Sequence, residues 1–96
     1  MAANDIHSIK PTARIPHDVL FDRRLMPASR FLYAVLDSYL HGSDLPVPKH
    51  SQLAAEIGVS QRTVRTLIDN LKRNGLLNVH HIGARKPNLY ELKVLA

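Results

Sequence analysis

Gln61, Arg62, Arg65 and Thr66 fall within one short stretch of this 96-residue chain, and their side chains share a chemistry. Arginine offers a planar fork of donors that suits phosphate or guanine, and a glutamine amide both donates and accepts, as an adenine edge requires. Ser60 and Thr63 add two hydroxyls just before and between them. Upstream, Lys49, His50, Ser51 and Gln52 gather where a helix is expected to begin, and free N–H groups at such a start attract anions. Downstream, Arg85 and Lys86 stand beside Gly83 and Pro87. These groups bind; none has the spacing of a nucleophile with its base.

The charge balance sharpens that reading. Net charge is +5, and between Ser60 and Lys86 six bases face one acid, Asp69, while the rest of the chain holds seven of each. All of the excess therefore sits in one stretch. A localised positive field is the footprint of a polyanion partner, most often nucleic acid. Competing chemistry is poorly supplied. The six histidines include no i, i+4 pair, and the adjacent His80 and His81 fall on a predicted strand, whose neighbouring side chains point to opposite faces. With no cysteine, thiolate metal sites and disulfides are excluded. No glycine-rich phosphate loop or nucleophile motif occurs, so neither enzyme activity nor a cofactor or metal is expected. The longest apolar run, Phe31 to Leu36, is too short for a membrane helix, and residues 1–16 lack the apolar core of a secretory signal. The expected location is the cytoplasm.

Several elements must hold these groups in place. Residues 1–13 are aperiodic and read as a flexible arm, leaving 14–96 as one domain. Ile15 to Phe21 is a short apolar segment, bent by Pro16, that is expected to pack on the core. Pro27 suits a first helical position, and Phe31, Leu32, Val35, Leu36, Tyr39 and Leu40 follow at helical spacing until Gly42. Met26 stands where a capping Ser, Thr or Asp would serve better. Leu45-Pro46-Val47-Pro48 is proline-rich, which allows only a short edge strand or an extended link. A second helix is predicted over about 50–57, ended by Gly58, and a third from 61 to about 74, capped by Ser60 and ended by Gly75. Leu77 and Val79, then Tyr90, Leu92 and Val94, alternate as two strands around the loop 82–88.

Leu53-Ala54, then Gly58-Val59-Ser60, then Val64 and Leu67 resembles the helix-turn-helix pattern. Ala54 is small where two helices cross, Gly58 takes the positive φ of the turn, Val59 plugs it, and Val64 and Leu67 seat the third helix. With the hairpin added, residues 27–94 resemble a winged helix-turn-helix DNA-binding domain. The implied fold is mainly α with a small β-hairpin: three helices, a C-terminal two-stranded wing and room for a short third strand. SQRTVRTLIDNLKRNGLL resembles the recognition helix and entry strand of bacterial winged-helix regulators. IPHDVLFDRRLMPASRFLYAVL resembles the start of such domains in plasmid and phage replication initiators, where a short apolar strand leads into the first helix. The family's Leu-Ser step at that helix start is Leu25-Met26 here.

The resemblance implies double-stranded DNA as partner, with Gln61, Arg62, Arg65 and Thr66 directed at base edges in the major groove. Ser60 and Thr63 would meet phosphates, as would Lys49, His50 and Ser51. A Glu at 63 would complete a capping box with Ser60 but face those phosphates, so Thr63 suits the role better. Lys72 and Arg73 complement the helix dipole. Arg85 and Lys86 would form the tip of the wing, on phosphates or in a narrow minor groove. The function implied is sequence-specific binding by a transcriptional regulator, or by a replication or partition factor, with a homodimer on an inverted or direct repeat as one arrangement. The rival readings are a winged helix used for protein assembly, which would ignore heparin and random DNA at low salt, and RNA binding, which duplex RNA would compete for.

Overall fold

The computed structural model describes residues 13–41, 46–81, 83–84 and 88–93. Its elements are α1 (His17–Leu20), α2 (Pro27–His41), α3 (His50–Ile57), α4 (Gln61–Arg73), β1 (Leu77–His80) and β2 (Leu89–Leu92). The two strands pair antiparallel, Leu77 opposite Leu92 and His80 opposite Leu89. The architecture is mainly helical with a two-stranded hairpin, the winged helix-turn-helix arrangement.

α1 corrects one expectation. The segment at 15–21 is a single helical turn rather than a strand, because the Pro16 carbonyl accepts the N–H groups of both Val19 and Leu20, at 3.0 and 2.9 Å. Its inward residues, half-buried Ile15 and buried Val19, are four apart, which is helical spacing. Of the two forms open to the proline-rich stretch, the structure has the link: residues 46–49 form no strand, since Pro46 and Pro48 have no N–H to offer a ladder. Among the described residues the sheet has two strands. The arm at 1–12, Gly42 and Leu45, the wing cations Arg85 and Lys86, and Val94 lie outside the described residues.

The core gathers Leu32, Tyr33 and Leu36 of α2, Leu53 and Ala54 of α3, and Val64, Leu67, Ile68 and Leu71 of α4, with Leu25, Leu76 and Leu77. The inward stripe of α2 is not quite the expected one. Ser29, Leu32, Tyr33, Leu36 and Asp37 are buried, whereas Phe31 is 56% exposed. Two polar residues take stripe positions because the fold satisfies them. The Ser29 hydroxyl reaches the Leu67 carbonyl at 3.5 Å, a small side chain letting α2 lie close to α4. Asp37 accepts the Arg14 N–H at 2.9 Å and lies 2.8 Å from His41 Nδ1.

Met26 is also explained. Its own N–H donates to Asn70 Oδ1 of α4 at 3.0 Å, so this helix start is held by a partner 44 residues away. Pro27 follows, with no N–H to satisfy. Just beyond the C-terminal end of α4, Gly75 takes φ +74°. There the N–H of Leu76 reaches the Leu71 carbonyl, and that of Gly75 reaches the Lys72 carbonyl, both at 3.0 Å. This Schellman turn closes the helix and leads through buried Leu76 into the hairpin's first strand at buried Leu77.

Candidate nucleic-acid interface

The site is built on the turn between α3 and α4. Gly58 takes φ +79°, and the N–H groups of Gly58 and Val59 both bond to the Ala54 carbonyl, at 2.9 and 3.0 Å. That folds the chain back within three residues and leaves Val59 packed against the core. Ser60 then caps α4: its Oγ accepts the Thr63 N–H at 3.0 Å, and its hydroxyl lies 3.0 Å from Thr63 Oγ1. The remaining N–H groups of the first turn stay free to meet an anion.

α4 is divided sharply around its axis. Val64, Leu67, Ile68 and Leu71 are buried, while Gln61, Arg62, Arg65 and Thr66 are exposed. At about 100° per residue, Arg62 and Thr66 stand opposite the apolar stripe and Gln61 and Arg65 on one flank. The four predicted base-contacting residues are thus brought onto one exposed surface near the start of the helix. The Thr66 hydroxyl donates to the Arg62 carbonyl at 3.2 Å, so toward a base edge it offers lone pairs and a methyl group. Later in the helix, Arg73 pairs with Asp69 at 2.8 Å, which cancels its charge locally.

The start of α3 lies beside this surface. Lys49 and Ser51 are exposed, and Lys49 takes the N-cap position without a side-chain cap, so the His50 and Ser51 N–H groups have no cap while that of Gln52 reaches the Lys49 carbonyl at 3.0 Å. His50 is half-buried, and its Nε2 is 3.3 Å from the Tyr90 hydroxyl of β2. Burial lowers the His50 pKa below the ordinary imidazole value, and the nearby positive charge of Arg65 lowers it further. His50 is therefore neutral at neutral pH. The acid of this region is drawn to the opposite end of α3, where Glu56 accepts the Tyr39 hydroxyl at 2.6–2.7 Å and Gln52 Nε2 at 3.3 Å. The Tyr39 phenol is pushed up to about 12 by that bond.

Tyr90 is the residue that sequence reasoning passed over. Its apolar neighbours mark it as a strand residue, but a partner 40 positions away carries no local sequence signal. Asn70 escaped notice for the same reason.

A helix held by a tight turn, buried on one side and cationic near its N-terminus on the other, defines the helix-turn-helix class, an arrangement suited to duplex DNA. The chain belongs to the helix-turn-helix domain family, which matches residues 23–77, from the loop before α2 to the first residue of β1. No curated protein and no solved structure matches the chain. None of the described helices is long and apolar enough to cross a membrane.

Proposed function

We propose that the protein binds double-stranded DNA at a specific sequence, with α4 in the major groove and the hairpin loop on the flanking backbone. It acts as a transcriptional regulator, or as the DNA-binding part of a replication or partition factor, in the cytoplasm. The observation that carries this reading is the exposed set Gln61, Arg62, Arg65 and Thr66 on the outward side of α4. Their chemistry is that of base-edge readers, and they lie in the stretch that holds the whole excess charge. Ser60, Thr63, Lys49, His50 and Ser51 surround them as phosphate contacts, with Arg85 and Lys86 at the wing. The role is one of binding; no catalytic step is assigned to any residue.

Two copies on a repeated site form part of the reading. A single small module covers roughly 600–1,000 Å² of DNA interface, and a second half-site multiplies specificity. Leu20, Phe21, Met26 and Phe31 remain 41–63% exposed on α1 and around the start of α2, apolar area that a second copy would cover. Selection of bound duplexes from a random pool tests the function. A recovered consensus is the expected result, and its symmetry reports the number of copies. Recovery of no preferred sequence would refute the specific reading.

A further inference from the structure

The hairpin is anchored to the helices unevenly. At its base, buried Leu77 faces Leu92, the Lys93 N–H donates to the Leu76 carbonyl at 2.8 Å, and the Tyr33 hydroxyl donates to the Lys93 carbonyl at 3.2 Å. Toward the loop, His80 is exposed and its partner Leu89 is 54% exposed, so packing there is thin. Two strands of four residues are marginal by themselves. Tyr90 and its cross-strand partner Val79, one pair short of the loop end, are the exception, both packed against the core. Among the described residues, the bond from Tyr90 to His50 Nε2 at 3.3 Å is the hydrogen bond that ties the loop half of the hairpin to a helix. That helix is α3, and the His50 it holds lies close enough to Arg65 of α4 to feel its charge. The hairpin and α3 meet at this phenol, with Arg65 of α4 near the imidazole.

We propose that Tyr90 is a positioning residue for DNA binding: its hydroxyl, bonded to His50, fixes the loop half of the hairpin against the start of α3, so that hairpin and α4 meet one duplex in a single orientation. The inference rests on the DNA-binding reading above. The protonation states suit it, because a neutral imidazole with its proton on Nδ1 can accept the phenol O–H, and burial keeps that phenol protonated by raising its pKa. Without the bond the hairpin pivots about its base, and the groups beyond Tyr90 leave the duplex before those of α4.

The test uses the full chain and a fluorescent duplex bearing the selected site, titrated at several salt concentrations. Tyr90→Phe removes one oxygen and is expected to bind about fivefold more weakly, the net worth of one neutral hydrogen bond. Its salt slope should fall by about 0.9 for each phosphate that it no longer neutralises. His50→Ala should be epistatic, the double variant binding no more weakly than the weaker single one. In the free protein, the His50 ring followed by NMR should titrate higher in Tyr90→Phe than in the wild type. A purely structural hydroxyl would lower the thermal midpoint yet leave the slope, and the binding measured well below that midpoint, unchanged. Wild-type affinity and slope in Tyr90→Phe would overturn the inference, as would losses that multiply in the double variant or an unmoved His50 titration. A wild-type chain that binds no duplex would instead remove the DNA-binding reading itself, which the same titration reports first.

Discussion

Arg62 and Arg65 share a side chain and a helix, yet the fold gives them different surroundings. Arg62 stands opposite the buried stripe of α4, while Arg65 lies on the flank whose charge reaches His50. Arg62→Ala is expected to cost about 1–3 kcal/mol of binding and to relax discrimination at one base pair, which duplexes altered one pair at a time would show. Arg65→Ala has a second readout in the free protein. Removing that charge should raise the His50 pKa toward its ordinary value, as NMR would follow. His50 also sets a pH dependence, whose sign follows from its lowered pKa. The unfolded chain binds a proton there before the folded one does, so stability is full above the unfolded value of 6.5 and falls as pH drops from it toward the lower folded value. His50→Gln should flatten that part of the stability profile, and urea titrations between neutral and mildly acid pH would measure it. A stability that rises on acidification through this window would contradict the assignment.

At the scale of the element, the turn carries its own test. A Cβ built on Gly58 meets no atom within 4 Å, so Gly58→Ala would suffer only from the left-handed backbone, about 1–2 kcal/mol. Ser60→Ala should lose a further ~1 kcal/mol through the α4 cap. Both are read from thermal or urea unfolding, and both should leave the salt slope of the folded protein intact. These positions were legible in the sequence because they act locally: glycine for a positive φ, serine for a free N–H, valine and leucine at helical spacing. The stripe of α2 was only half legible. Periodicity pointed to the bulky Phe31, whereas the fold turned Ser29 and Asp37 inward, each satisfied by groups remote in sequence. The same limit hid Asn70 under Met26 and the pairing of Tyr90 with His50. In the candidate site, residue types and helix phase placed the exposed polar set Gln61, Arg62, Arg65 and Thr66 on α4. The tie from the hairpin to α3 could not be read, because nothing within a few residues encodes it.

Over the whole molecule, two acids away from the interface are matched by near neighbours. Asp22 and Arg24 pair at 2.7 Å, which holds the Asp22 carboxyl down to about 2, and Asp37 is held by the Arg14 N–H and His41. The unbalanced field is that of residues 60–86, where Arg62, Arg65 and Lys72 on α4 precede Arg85 and Lys86 in the loop. Affinity for duplex DNA should therefore fall steeply with salt, log K dropping by about 0.9 for each phosphate neutralised. The loop's share can be separated from that of α4. Changing Arg85 and Lys86 together to Ala should lower the slope by about 1 for each phosphate left unpaired, uniformly across selected and random duplexes if both meet phosphate. If Arg85 enters the minor groove, the loss should be greater on A·T-rich flanks, where the groove is narrow and its potential more negative. Thermal stability should shift within about 0.5 kcal/mol, as is usual for surface positions, so a fall in affinity would report direct binding rather than unfolding. Unchanged affinity on every flank would leave α4 and the start of α3 as the whole DNA-binding surface.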